Sequence, residues 1–145
     1  MALNASLGVP ILFPWDRPPI DEAMPRDMGA SLMWIFTTHG FISIVQHYSN
    51  PNEFQVKSRP PRPLQRFWPD SRIEVIEWAD YRFRINILKE NVIDVITSIL
   101  GSLDYTGFKK ECEGDEEYHW TLVQTWGLLN ELQVSYELRE RAHGL

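Results

Sequence analysis

The most regular alternation in the chain runs from Tyr81 to Leu88. Tyr81, Phe83, Ile85 and Ile87 hold one set of alternate positions, and Arg82, Arg84, Asn86 and Leu88 hold the other. Successive side chains of a strand leave on opposite faces, so the first set reads as a core face and the second as an outer face. Upstream, Leu32 to Tyr48 is rich in β-branched and aromatic residues around Gly40. This predicts strands over 32–38 and 41–48, joined as a hairpin or as one bent strand, with Gly40 free to take a positive φ. Asn50-Pro51-Asn52 is a turn signal. Residues 53–59 alternate again, with Phe54, Val56 and Ser58 on one side and Gln55, Lys57 and Arg59 on the other. Residues 72–78 are apolar on both sides, Ile73 and Val75 against Ile76 and Trp78, which predicts a central strand covered on both faces. Ala79-Asp80 is too short for a parallel crossover, so this strand and the next are expected to pair antiparallel.

Helical spacing takes over elsewhere. Pro60-Pro61-Arg62-Pro63 ends the third strand and can open a short helix over 62–68, because proline is tolerated in a first turn. Asn91 is the expected N-cap of a helix, with Asp94 three residues on in a capping-box-like arrangement. Val92, Ile96, Ile99 and Leu103 follow at helical intervals. A short helix is expected within 104–113, with Tyr105 and Phe108 turned inward. A last helix runs from about Glu116 to Gln133, with Tyr118, Leu122, Trp126, Leu129 and Gln133 on one stripe. The pattern predicts an α+β fold: an antiparallel four- to five-stranded sheet, ββαββα-like, made of two hairpin-plus-helix units with helices packed on one face. Residues 31–134 form the expected single domain, and 135–145 extend the last helix or fray. Residues 1–30 hold five of the ten prolines and read as an extended arm. Its Val9, Ile11, Leu12, Phe13 and Trp15 suit a segment lying along the domain or a partner.

Composition narrows the function. A net charge of -6 argues against nucleic-acid binding by the surface as a whole, but not by a local basic patch. A single cysteine, Cys112, excludes an intramolecular disulfide and a cysteine-based zinc cluster. With no apolar run of membrane-spanning length and no secretory leader pattern, the expectation is a cytoplasmic protein with no membrane partner, as a monomer or homodimer.

Several short stretches, taken together and in order, resemble a group of small, uncharacterised bacterial proteins. They are Met33-Trp34-Ile35 running into Thr37-Thr38-His39-Gly40-Phe41, then Val56-Lys57-Ser58-Arg59 and Ala79-Asp80-Tyr81-Arg82-Phe83-Arg84. Asp104-Tyr105 with Phe108-Lys109, and Tyr118 with Trp126, complete the series. The resemblance spans Met33 to about Gln133. It implies one domain beginning near Met33 with the arm as an addition, and it implies no activity and no catalytic residues.

Function therefore rests on the residues. Lys57, Arg59, Arg82 and Arg84 are expected to share the outer sheet face, with Gln55 and Gln46 nearby. Trp78 is the aromatic expected to join them. Cations gathered on an acidic protein repel one another, by about 0.2–1 kcal/mol per close cross-strand pair. An anionic partner, either nucleic acid or an acidic protein surface, would offset that. The bland reading is a solvated face whose cations pair with Glu74 and Glu77. A second candidate is a polar pocket of Thr37, Thr38, His39, Asp80, Tyr81 and Lys109, in which threonines beside Gly40 hold an anion and Asp80 orients His39 as a general base. The four histidines show no metal-ligand spacing, and the acidic run from Glu111 to Glu117 reads as charge at a helix N-terminus. No metal or other cofactor is expected. Cys112 among carboxylates is expected to have a raised pKa. The leading expectation is a non-catalytic binding or regulatory protein with an anionic partner. The alternatives are a protein–protein adaptor using the arm and the aromatic helix surface, and a small hydrolase or nuclease using His39 and Asp80.

Overall fold

The computed structural model describes residues 33–144, so the proline-rich arm lies outside the described residues. Nine elements follow the predicted order: β1 (Met33–Thr37), β2 (Gly40–Gln46), β3 (Glu53–Ser58), α1 (Arg62–Phe67), β4 (Glu74–Val75), β5 (Phe83–Leu88), α2 (Lys89–Gly101), α3 (Phe108–Glu111) and α4 (Glu116–His143). The strands form one antiparallel sheet in the order β1-β2-β3-β5-β4. The fold is α+β, as the pattern of alternating and helical segments predicts.

The hairpin reading of 32–48 holds. Thr37 pairs with Gly40 across a two-residue loop, and Gly40 has φ 130°. Thr37 Oγ1 donates to the Gly40 carbonyl at 2.7 Å and accepts from the His39 N–H at 3.1 Å, so the buried hydroxyl closes the turn. A Cβ on Gly40 would stand 2.5 Å from Pro63 Cγ, so the absent side chain is also what lets α1 press against β2. At the other end, the side-chain amide of Gln46 donates to the His47, Asn50 and Glu53 carbonyls and ties the turn at Asn50-Pro51-Asn52.

The core lies between one sheet face and helices α1 and α2. Ile42, Ile44, Val56 and Ile85 from the strands meet Leu64, Trp68 and Val92, with Ile35, Phe54, Phe83 and Ile87 packed around them. Burying each such aliphatic side chain contributes about 1.5–3 kcal/mol. Phe54, Val56, Phe83, Ile85 and Ile87 belong to the alternating sets read from the sequence, and one member of those sets leaves them. Tyr81 does not join Phe83, Ile85 and Ile87. Strand β5 begins at Phe83, and in the loop before it Tyr81 stacks on Phe41, on the opposite face.

Two further expectations are corrected. Residues 72–78 are not a central strand: β4 has two residues, pairs only with β5 at the sheet edge, and leaves Val75 exposed and Trp78 89% exposed. Ile73, Ile76 and Trp78 fall outside β4, and of 72–78 Ile73 alone packs against the core. Helix α2 begins at Lys89, with Leu88 at the N-cap and no side-chain cap, because β5 runs straight into it and Asn91 already lies in its first turn. Helix α4 runs unbroken through Gln133 to His143. Asp115 caps its start by accepting from the Tyr118 N–H, and Gly144 closes it in the left-handed conformation at φ 66°.

Helices α3 and α4 meet the sheet at its β1 edge. The Tyr118 hydroxyl donates to the Thr37 carbonyl at 2.8 Å, and burial raises the phenol's pKa well above the ordinary tyrosine value. Arg62 of α1 bonds the capping carboxylate of Asp115 at 2.8 Å, joining the first helix to the last. Among the described residues no helix is long and apolar enough to cross a membrane.

Candidate basic and aromatic sheet face

Register decides which outward side chains become neighbours. Trp34 pairs with Ser43, Ser43 with Lys57, Lys57 with Arg84, and Arg84 with Glu74. Paired residues point the same way, so these five form one row across all five strands, on the face turned away from α1 and α2. The row reads ring, hydroxyl, ammonium, guanidinium, carboxylate. Two of its polar atoms, Ser43 Oγ and Arg84 Nε, are buried without a hydrogen-bond partner. Leaving such an atom unpaired costs about 1–3 kcal/mol, and nearly all buried polar groups avoid it.

The cations divide into two kinds. Arg59 bonds the Asp80 carboxylate at 2.9 Å, and Arg82 bonds Glu77 at 2.6 Å. Both pairs are largely exposed, where an ion pair contributes only about 0.2–1 kcal/mol. Lys57 and Arg84 differ, because they face each other across β3 and β5 with no ion pair to either among the described residues. Glu74 stands opposite Arg84 in register yet makes no ion pair with it. One Arg84 N–H reaches the Tyr81 carbonyl at 2.9 Å. Burial pushes the Lys57 ammonium below its ordinary pKa, Arg84 adds to that, and Asp80 opposes it.

Aromatic rings border this pair. Phe41 lies edge-on to Trp34 at 5.7 Å, 4.8 Å from Phe36 and stacked on Tyr81 at 6.2 Å. The Arg59 guanidinium sits over the Tyr81 ring at 4.8 Å. A run of rings thus leads from the β1 edge to the cations. Trp78, the aromatic expected here, stands instead in the loop between β4 and β5. The missed rings were legible in part: Trp34 and Phe36 alternate with Ile35 and Thr37, and Phe41 alternates with Ile42, which places all three opposite the core. Tyr81 carried no such signal, because its orientation comes from the loop.

The polar-pocket residues separate. Thr37 is occupied in the hairpin turn. The His39 ring lies edge-on to Phe67, and burial together with Arg66 and Arg62 lowers its pKa. Asp80 is bound to Arg59, and among the described residues no hydrogen bond joins it to His39. Lys109 sits over the Trp126 ring at 4.3 Å, beside α4. Thr38, His39, Arg62, Arg66 and Asp115 line a cavity between α1, α2 and the start of α4. Burial and the neighbouring Glu111 and Asp115 carboxylates raise the Cys112 thiol pKa. Among the described residues no cluster of three or more metal-ligating side chains occurs.

No known protein family, curated protein or solved structure matches this chain.

Proposed function

We propose that this protein binds single-stranded nucleic acid on the outer face of its sheet, without catalysis. The carrying observation is the Ser43–Lys57–Arg84 row, in which two adjacent cations and two unpartnered buried polar atoms share a border with stacked rings. Phosphate oxygens answer the adjacent ammonium and guanidinium charges together. The rings answer bases: stacking on an aromatic side chain contributes about 1–3 kcal/mol per base and requires no particular sequence. A duplex hides its base faces and cannot use Trp34, Phe41 and Tyr81 in this way. An acidic protein surface would satisfy the cations but leave the rings without a role. The net charge of -6 keeps binding local to this face.

Fluorescence anisotropy of the full chain with labelled oligo(U) and oligo(dT), against a duplex of equal length, tests the reading. Single strands are expected to bind, with affinity falling as salt rises by about 0.7 log units per log unit of salt for each phosphate engaged. Changing Lys57 and Arg84 together to glutamine should abolish binding and leave the melting temperature no lower. Unchanged binding in that double variant, or equal affinity for the duplex, refutes the proposal.

A further inference from the structure

Helix α1 packs on β2 and β3, and α2 packs on β3 and β5. Between these helices and the start of α4 lies the cavity that Thr38, His39, Arg62 and Arg66 help to line, about 850 Å³ in volume. Small-molecule sites fall in the same range, roughly 300–1,000 Å³. The lining is sorted by charge. Arg62 and Arg66 stand four residues apart, so both leave the same side of α1. Like charges at that spacing disfavour a helix, and α1 has only six residues. Arg62 is bonded to Asp115, which also caps α4, whereas Arg66 has no ion pair among the described residues. The charges that act on His39 are Arg66 and Arg62, and both add to burial in lowering its pKa. The carboxylates of Glu111 and Asp115 act instead on Cys112, adding to burial in raising its pKa. Asp104 is the third acid of the lining, and neither it nor Glu111 has an ion pair among the described residues. The rest is largely apolar: Phe67 comes from α1, and Val95, Ile99 and Leu103 recur every fourth residue along α2 and just past its end.

We propose that this cavity binds an amphipathic organic monoanion, a carboxylate on a hydrocarbon body, with the carboxylate on Arg66 and the body along Val95, Ile99 and Leu103. The unpaired guanidinium beside His39 selects an anion, because its planar fork bonds a carboxylate through two parallel N–H groups. The apolar wall selects a ligand with a body over a bare ion, since binding then removes hydrocarbon surface from water. Asp104 and Glu111 select a single charge, because a second anionic group would meet unpaired carboxylates. The site lies on the helix side of the sheet, so it does not rest on the nucleic-acid reading of the opposite face.

Isothermal titration of the full chain with octanoate, octanol and octanedioate at pH 7 tests the proposal. Octanoate should bind at one site, with the neutral alcohol and the dicarboxylate each weaker by about tenfold or more. Arg66→Gln should weaken octanoate by about tenfold or more, while Arg66→Lys, which keeps the charge, retains most of the affinity. Arg66 is exposed, so neither change should move the melting temperature. The His39 pKa, followed by proton NMR, should rise when octanoate saturates the chain, because an anion beside the ring favours its charged form. Octanoate should leave oligo(U) affinity unchanged. Absence of octanoate binding overturns the proposal. Octanol binding as tightly as octanoate, or Arg66→Gln binding as tightly as the wild type, reduces the effect to apolar adhesion and overturns it too. Equal affinity for octanedioate overturns the selection of a single charge.

Discussion

The two faces of the sheet are built from the same strands yet obey different rules. On the covered face, Ile42, Val56 and Ile85 are 1% exposed or less and surrounded by other aliphatic groups. The residues there answer chiefly to volume, with Trp68 Nε1 the unpaired buried polar atom of this side among the described residues. On the opposite face, Ser43, Lys57 and Arg84 stand in a row where like charges meet and two buried polar atoms go unpaired. That face gives up stability where its neighbour accumulates it. Natural sequences tolerate such local conflict chiefly at functional sites, which is the ground for the binding role proposed above.

The contrast can be broken most strongly from the covered side. Ile85→Ala leaves a cavity between Val56 and the helices and is expected to cost about 2–5 kcal/mol in urea unfolding. A cost under 1 kcal/mol would mean that this face is not the core. Gly40→Ala comes next. It forces a side chain onto φ 130° and toward Pro63, and should cost roughly 1–3 kcal/mol. On the opposite face the sign reverses. Ser43→Ala removes a buried hydroxyl without a partner and should raise stability by about 1 kcal/mol. A loss of stability there would reveal a partner for that oxygen. Lys57→Met separates the two cations and keeps the aliphatic stem, for a smaller gain of about 0.2–1 kcal/mol, while oligonucleotide binding falls.

The smallest effects are those of pH, and His39 and Lys57 act with the same sign in different pH windows. The folded pKa of His39 lies below its unfolded value, so the unfolded chain binds the extra proton first. Stability is full above about pH 6.5 and declines below it, and His39→Gln should flatten that decline in thermal melts at pH 5–7. The Lys57 ammonium is also depressed, so neutralising it relieves the fold: stability from this group rises as pH climbs through its folded pKa. Anion binding needs the charged form and should weaken over that same rise, beginning below the ordinary lysine value of 10.5. Binding that stays constant to pH 10.5 would remove Lys57 from the site.

Much of this architecture was written in local pattern. Alternation along 53–58 and 83–88 determined which side chains face the helices, because a strand's period of two follows from backbone geometry alone. Gly40 between two apolar runs determined the first hairpin, and helical spacing determined α1, α2 and α4. The arginines at positions 82 and 84 were already opposite the core in the sequence. Tertiary structure decided what stood beside them. Ser43, Lys57 and Arg84 are neighbours only through the registers of β2, β3 and β5, and no local pattern encodes a pairing between residues so far apart. It also turned Tyr81 away from the core, cut 72–78 to a two-residue edge strand, and bound Arg59 and Arg82 to Asp80 and Glu77. Those outcomes depend on which surfaces meet, and a periodicity specifies a face without specifying its company.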